Sequence, residues 1–233
     1  MLLFLVLVTI PLLLRVTGLG VFITIDKATW ATRSQAFCDA LAGEDLFGTY
    51  QSERSGVVTM WIGTLAIRVS RAAEGFTPRL RVLRMLWNTV SARSDGVSAV
   101  TFWARWGVAL VTWAGILALY YPLRRLFGRA VALLGVLLVG LNPFYLAHSR
   151  LHHLDALLTT FVMLSVTSLL ASRGRDGYKR RYLVFSGICG GLAMANKSPG
   201  GLLVPWTSLV LLADAWPRGR GDGNVWGRGD ARE

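Results

Sequence analysis

The stretch AVTFWARWGVALVTWAGILALYY, residues 99–121, decides the fold class. It holds one charged residue, Arg105, in a run as long as the roughly 20 residues that a helix needs to cross a bilayer. Four further runs follow it, at residues 130–147, 154–171, 182–195 and 200–213, the last two short and glycine-rich. A sixth opens the chain at residues 1–23 and is interrupted by Arg15. The whole chain agrees with its parts: 53% of its 233 residues are apolar and 16% charged, and the mean hydropathy is +0.48. That is too apolar and too poor in charge for a water-soluble domain, and the same figures exclude disorder, collagen and coiled coil. The expected fold is all-α, a multi-pass transmembrane bundle of about six spans.

The net charge of +12 raises nucleic acid as a partner, but the charges fall between the apolar runs, as headgroup-level charge does. The chain is therefore read as taking no nucleic acid. The two cysteines, Cys38 and Cys189, form no CxxC motif. The first run lacks the basic start and small-residue cleavage site of a signal peptide and reads as a transmembrane helix whose native start lies upstream.

Lysine and arginine in the short loops set the orientation. Arg124, Arg125 and Arg129 follow the second span, and Arg173, Arg175, Lys179, Arg180 and Arg181 follow the fourth, so both loops are assigned to the cytoplasm. The loops HSRLHH and NKSPG then lie outside, as does the long segment 24–98. Within that segment Trp30, Ser34, Phe37, Cys38 and Leu41 recur at helical spacing, and so do Val57, Met60, Trp61, Thr64 and Leu65. They predict two amphipathic helices at the membrane interface. Residues 214–233, with two Arg-Gly-Asp triplets in a Gly- and Arg-rich context, read as a disordered cytoplasmic tail.

The chemistry-bearing residues collect on the outer side. Asp26 ends the first run, where a carboxylate can serve as a base on a substrate held at the surface. Asp155 starts the fourth span, and His152, three residues earlier, is expected to share its helix face. His152, His153 and one carboxylate are too few for a specific metal signature. Arg105, Arg150 and Lys197 lie on the same side, and arginine suits phosphate. Taken singly, each acid reads as a solvated helix end and each cation as a snorkelling side chain. Together they suggest a base beside cations that hold the phosphate of a lipid-linked donor.

Four segments carry a resemblance: ITIDKATWATRSQAFCDAL (residues 23–41), GTYQSERSGVVTMWIG (48–63), LNPFYLAHSRLHHLDALLTT (141–160) and GLAMANKSPG (191–200). In this order they resemble the integral-membrane glycosyltransferases of family 39, the protein O-mannosyltransferases and bacterial relatives that include the aminoarabinose transferase. The resemblance covers the N-terminal half of such a protein, so a partial chain is expected. It implies a multi-pass protein of a bacterial plasma membrane. The implied activity moves a sugar from a polyprenyl-phosphate donor to a protein, lipid or glycan acceptor on the outer face, by inverting displacement. Asp26 would be the base or acceptor-binding group and Asp155 the second acid. Some members use a divalent metal, and the resemblance leaves metal use open.

Two positions depart from the pattern and join the candidate site residues. Lys27 follows Asp26 where the family commonly has Glu, and Arg54-Ser55-Gly56 stands where relatives of this subtype read His-Pro-Gly. They motivate the alternative of a non-catalytic membrane module that binds lipid phosphate or a partner. A transporter fragment is disfavoured, because no paired broken helices and no mid-span acid relay are visible in the sequence.

Overall fold

The structure is a computed structural model that describes residues 2–17, 19, 27–51, 56–75, 99–174 and 178–216. Its α-helices are α1 (Leu2–Val16), α2 (Lys27–Ala42), α3 (Val57–Gly75), α4 (Ala99–Phe127), α5 (Arg129–Leu141), α6 (Pro143–Ser149), α7 (Leu154–Ser172), α8 (Arg180–Asn196) and α9 (Leu203–Ala215). A 3-10 turn, Ser198–Leu202, joins the last two, and no strand occurs among the described residues. The all-α bundle expected from the apolar runs is the fold observed. Asp26, Arg54, segment 76–98 and residues 217–233, with both Arg-Gly-Asp triplets, lie outside the described residues.

Among the described residues two helices, α4 and α7, are long and apolar enough to cross a membrane. A third candidate is the pair α5 and α6, bent by 60°. The sequence reads residues 130–147 as one run, but Asn142 and Pro143 break it. Pro143 has no N–H to give, and the Asn142 side chain accepts from Tyr145 N at 3.0 Å, which starts a new helix at the bend. The opposite difference occurs at Pro122, which lies inside α4 where a loop is expected. Helix α4 ends only at Gly128, whose φ of 83° turns the chain into α5. Taken alone, α1, α8 and α9 run 15, 17 and 13 residues.

Helix α4 sits at the centre, packed on α3, α5 and α7. Ile116, Leu119, Val136, Leu164 and Cys189 form one core cluster, and Ile62, Val108, Leu157, Phe161 and Ala193 form another. Helices α7 and α8 approach through small residues: Ser165 Oγ donates to Ser186 O at 3.0 Å, and Ser186 Oγ donates to Ser165 O at 2.8 Å. Small residues with reciprocal bonds are how helices associate where the solvent is as apolar as leucine. Outward positions of α5, α8 and α9 expose Leu134, Leu138, Ile188, Leu209 and Leu212, a surface suited to lipid.

Helix α2 buries the expected face, Trp30, Ser34, Phe37 and Cys38. Helix α3 does so only in part. Met60 and Thr64 are buried, but Val57, Trp61 and Leu65 are exposed, while Thr59, Ile62, Ala66, Ile67 and Ser70 point inward. The reason is that α3 lies against both α2 and α4, so its buried arc is wider than one stripe and leaves an apolar edge open.

Bonds between helix ends sort the bundle into two poles. Arg125 Nε donates to Ala171 O at 2.6 Å and its Nη2 to Arg173 O at 3.2 Å. Arg173 in turn meets Asp214 at 2.8 Å, and the Tyr178 hydroxyl donates to Asp214 at 2.5 Å. Asp214 is thus tied into the bundle, and α9 runs two residues past the boundary expected at residue 213. The opposite pole carries the turn between α6 and α7 and the end of α8.

Candidate active site

The turn of residues 150–153 ends in His153, the N-cap of α7, so Asp155 falls in the first helical turn. A carboxylate there is favoured by the unpaired N–H groups of the helix start. Lys197 is the C-cap of α8, where a cation is favoured for the mirrored reason. The two ends meet: Lys197 Nζ lies 2.5 Å from Asp155 Oδ1, and His153 Nδ1 lies 3.3 Å from Asp155 Oδ2. The pair is half-open to the outside, with side-chain exposures of 38% for Lys197 and 37% for Asp155. At that exposure its worth lies in position, since open ion pairs add little stability.

Beneath the pair lies a buried polar support. Asn196 Nδ2 donates to Leu154 O at 2.8 Å, and Thr59 Oγ1 donates to Asn196 Oδ1 at 3.0 Å. His152 Nε2 donates to Thr59 O at 3.1 Å. These bonds join α3, α7 and α8 directly below Asp155 and Lys197. Burial pushes the His152 imidazole down to about 4, against the pull of the Thr59 bond, and the Arg105 charge adds to the effect. His152 is therefore neutral near pH 7.

Helices α2 and α3 close one flank. Trp30 in the first turns of α2 meets His153 edge-on at 6.4 Å between ring centres, and Leu154 packs with Trp30, Phe37 and Met60. Gly56 enters this contact at φ 150°, where a Cβ would stand 2.7 Å from the Trp30 ring, and its N–H donates to Ala195 O at 3.2 Å. Only glycine fits both demands.

The expected site residues divide accordingly. Asp155, His153 and Lys197 are brought together. His152 does not share a face with Asp155, because α7 begins at Leu154 and His152 turns inward from the preceding turn. Arg105 and Arg150 are not gathered on one point with Lys197: Arg105 donates to Leu19 O and Arg150 to Leu14 O, both in the chain at the end of α1. Arg105 is 2% exposed, so it is buried rather than snorkelling outward. Lys27 opens α2, with its side chain outside the described residues.

Sequence reasoning did not single out Trp30 for the site, nor Thr59 and Asn196. An amide inside the apolar run LAMAN is the signal that points to Asn196, since a buried amide must find partners. Arg15 also has a place not anticipated: fully buried, it donates to Pro11 O and Gly140 O at 3.0 Å and lies 5.3 Å from the Tyr145 ring centre.

No group of three His, Cys, Asp or Glu able to hold a metal occurs among the described residues. His153 and Asp155 offer two ligand-type groups, but Lys197 already occupies one oxygen of the carboxylate, and an ammonium there does not fit a bound cation.

Residues 97–220 match the family model of dolichyl-phosphate-mannose-protein mannosyltransferases. The chain belongs to that family. The match contains Arg105, Arg150, His152, His153, Asp155 and Lys197, and it begins after Asp26, Lys27 and Arg54. No curated protein and no solved structure matches. The family is one of membrane glycosyltransferases, which accords with apolar helices long enough to cross a membrane.

Proposed function

We propose that residues 1–213 are the membrane domain of a glycosyltransferase that moves a sugar from a polyprenyl-phosphate donor to an acceptor on the outer face. In this reading the runs at 1–23, 99–121, 130–147, 154–171, 182–195 and 200–213 are spans of a bacterial plasma membrane protein. Residues 24–98 lie outside, and the chain from 214 is cytoplasmic. The observation that carries the reading is the Asp155–Lys197 pair at 2.5 Å, set between two helix ends on a buried polar support.

An acceptor hydroxyl would attack the anomeric carbon as a carboxylate takes its proton, and the bond from that carbon to the phosphate oxygen would break. The leaving polyprenyl phosphate gains negative charge at that moment, and a preorganised ammonium such as Lys197 stabilises it. Asp155 positions Lys197 for this role, and His153 holds the second carboxylate oxygen. Asp26 is assigned as the base. It precedes by one residue the helix whose Trp30 touches His153. Arg105 and Arg150 are assigned to the donor phosphate, their guanidinium groups held by the carbonyls of Leu19, just beyond α1, and Leu14, within it.

The test is Asp26→Asn in the protein reconstituted in vesicles with a labelled polyprenyl-phosphate sugar. Loss of transfer by about 100-fold or more, with folded protein retained, supports the base assignment. Turnover within about twofold of wild type sinks it. The alternative is a module that binds the carrier without transfer, and it rests on Lys27 at the head of α2 and on Arg54. Carrier binding by wild type with no sugar released would favour that alternative.

A further inference from the structure

At the pole opposite Asp155, Tyr121, Arg124 and Arg125 of α4 and Arg181 and Tyr182 of α8 line an open cavity of about 420 Å³. Arg125 is held in place by its bonds to Ala171 O and Arg173 O. Its guanidinium lies 5.7 Å from the Tyr182 ring centre, and that of Arg181 lies 5.1 Å from the same ring. One tyrosine thus organises two cations that would otherwise repel, through attraction to its ring. Arg124 and Arg181 are exposed at the rim. Asp214, the carboxylate bonded into this pole, is taken by Arg173 and Tyr178 rather than by the groove arginines.

The surface beyond the rim is apolar. Val184, Phe185, Ile188 and Leu192 follow Arg181 along α8 at helical spacing, and all four are exposed. A fork of guanidinium N–H groups matches phosphate oxygens, and a stripe of this kind accepts a hydrocarbon chain. We propose that the groove binds the phosphodiester headgroup of an anionic phospholipid, with an acyl chain laid along Val184, Ile188 and Leu192. A free anion would use the arginines but leave the stripe uncovered, and a zwitterionic lipid would bring its own cation to the groove. The inference concerns the pole away from Asp155 and stands whether or not that pole transfers sugar.

The test is the thermal-unfolding midpoint of the full chain in detergent micelles. The probes are phosphatidylglycerol, phosphatidylcholine with the same acyl chains, and inorganic phosphate. Phosphatidylglycerol is expected to raise the midpoint by about 4 °C, and the other two by under about 1 °C. In Arg124→Gln/Arg181→Gln the phosphatidylglycerol shift is expected to fall below about 1 °C, with Arg125 left intact because it anchors α7. An equal shift with phosphatidylcholine overturns the headgroup assignment. An equal shift with inorganic phosphate makes this a free-anion site and overturns the lipid. An undiminished shift in the double variant overturns the groove. Circular dichroism and gel filtration check that the variant folds; if it does not, Arg181→Gln takes its place and the three wild-type arms still decide.

Discussion

The Asn196 side chain donates to the Leu154 carbonyl at 2.8 Å, so one buried amide ties the last residue of α8 to the first of α7. Asp155 and Lys197 are the next residues along those two chains, and their approach follows from this bond. Replacing Asn196 by Leu leaves the Leu154 carbonyl and the Thr59 hydroxyl without it. A loss of about 1–3 kcal/mol in unfolding free energy is expected, measured by denaturant unfolding in detergent. Thr59→Val removes one bond from the same support and is expected to cost less than Asn196→Leu.

Gly56→Ala should destabilise through a different cause. The new Cβ would press on the Trp30 ring at 2.7 Å while the backbone stays at φ 150°. A cost of roughly 1–3 kcal/mol is expected for the strained backbone, before the displacement of Trp30 is counted. Gly128→Ala shares the positive φ but meets nothing within 4 Å, so it should cost less. Paired thermal-unfolding curves measure the difference.

Acid should weaken the fold through His152. Its folded value of about 4 lies below the ordinary 6.5, so between these values the unfolded chain binds the proton and the folded chain does not. Stability is full above pH 6.5 and falls as pH drops toward 4, by about 2 kcal/mol from pH 7 to pH 5. In His152→Gln an amide can still donate to the Thr59 carbonyl without titrating. Its unfolding midpoint should change less over that range than that of wild type.

Length and apolarity made α4 and α7 legible, because both runs exceed what a soluble helix would tolerate in hydrophobicity. The face of α2 was legible from Trp30, Ser34, Phe37 and Cys38, which all point one way. The break at Asn142 and Pro143 was not, since an apolar run can be continuous in composition and still be bent where an N–H is missing. Pro122 is the opposite case, a proline close to a helix end that is carried inside it. Of the candidate site, Asp155 and Lys197 stood out as charges at the ends of apolar runs. His152 and Asp155 share no helix face, because helical spacing applies only once the helix has begun, and α7 begins at Leu154. Asn196 and Thr59 were hidden because their role depends on three helices meeting, and no local pattern records that.

We propose that the Asp155–Lys197 end of the bundle works in sugar transfer from a lipid phosphate. The most direct measurement is transfer of labelled sugar from a polyprenyl-phosphate donor in proteoliposomes by wild type, Asp155→Asn and Lys197→Met, each checked for folding by circular dichroism. Turnover by wild type and a loss of about 100-fold or more in kcat/KM for each variant are expected. Turnover by either variant at the wild-type rate, or no turnover by a wild-type protein that binds the donor, would contradict it.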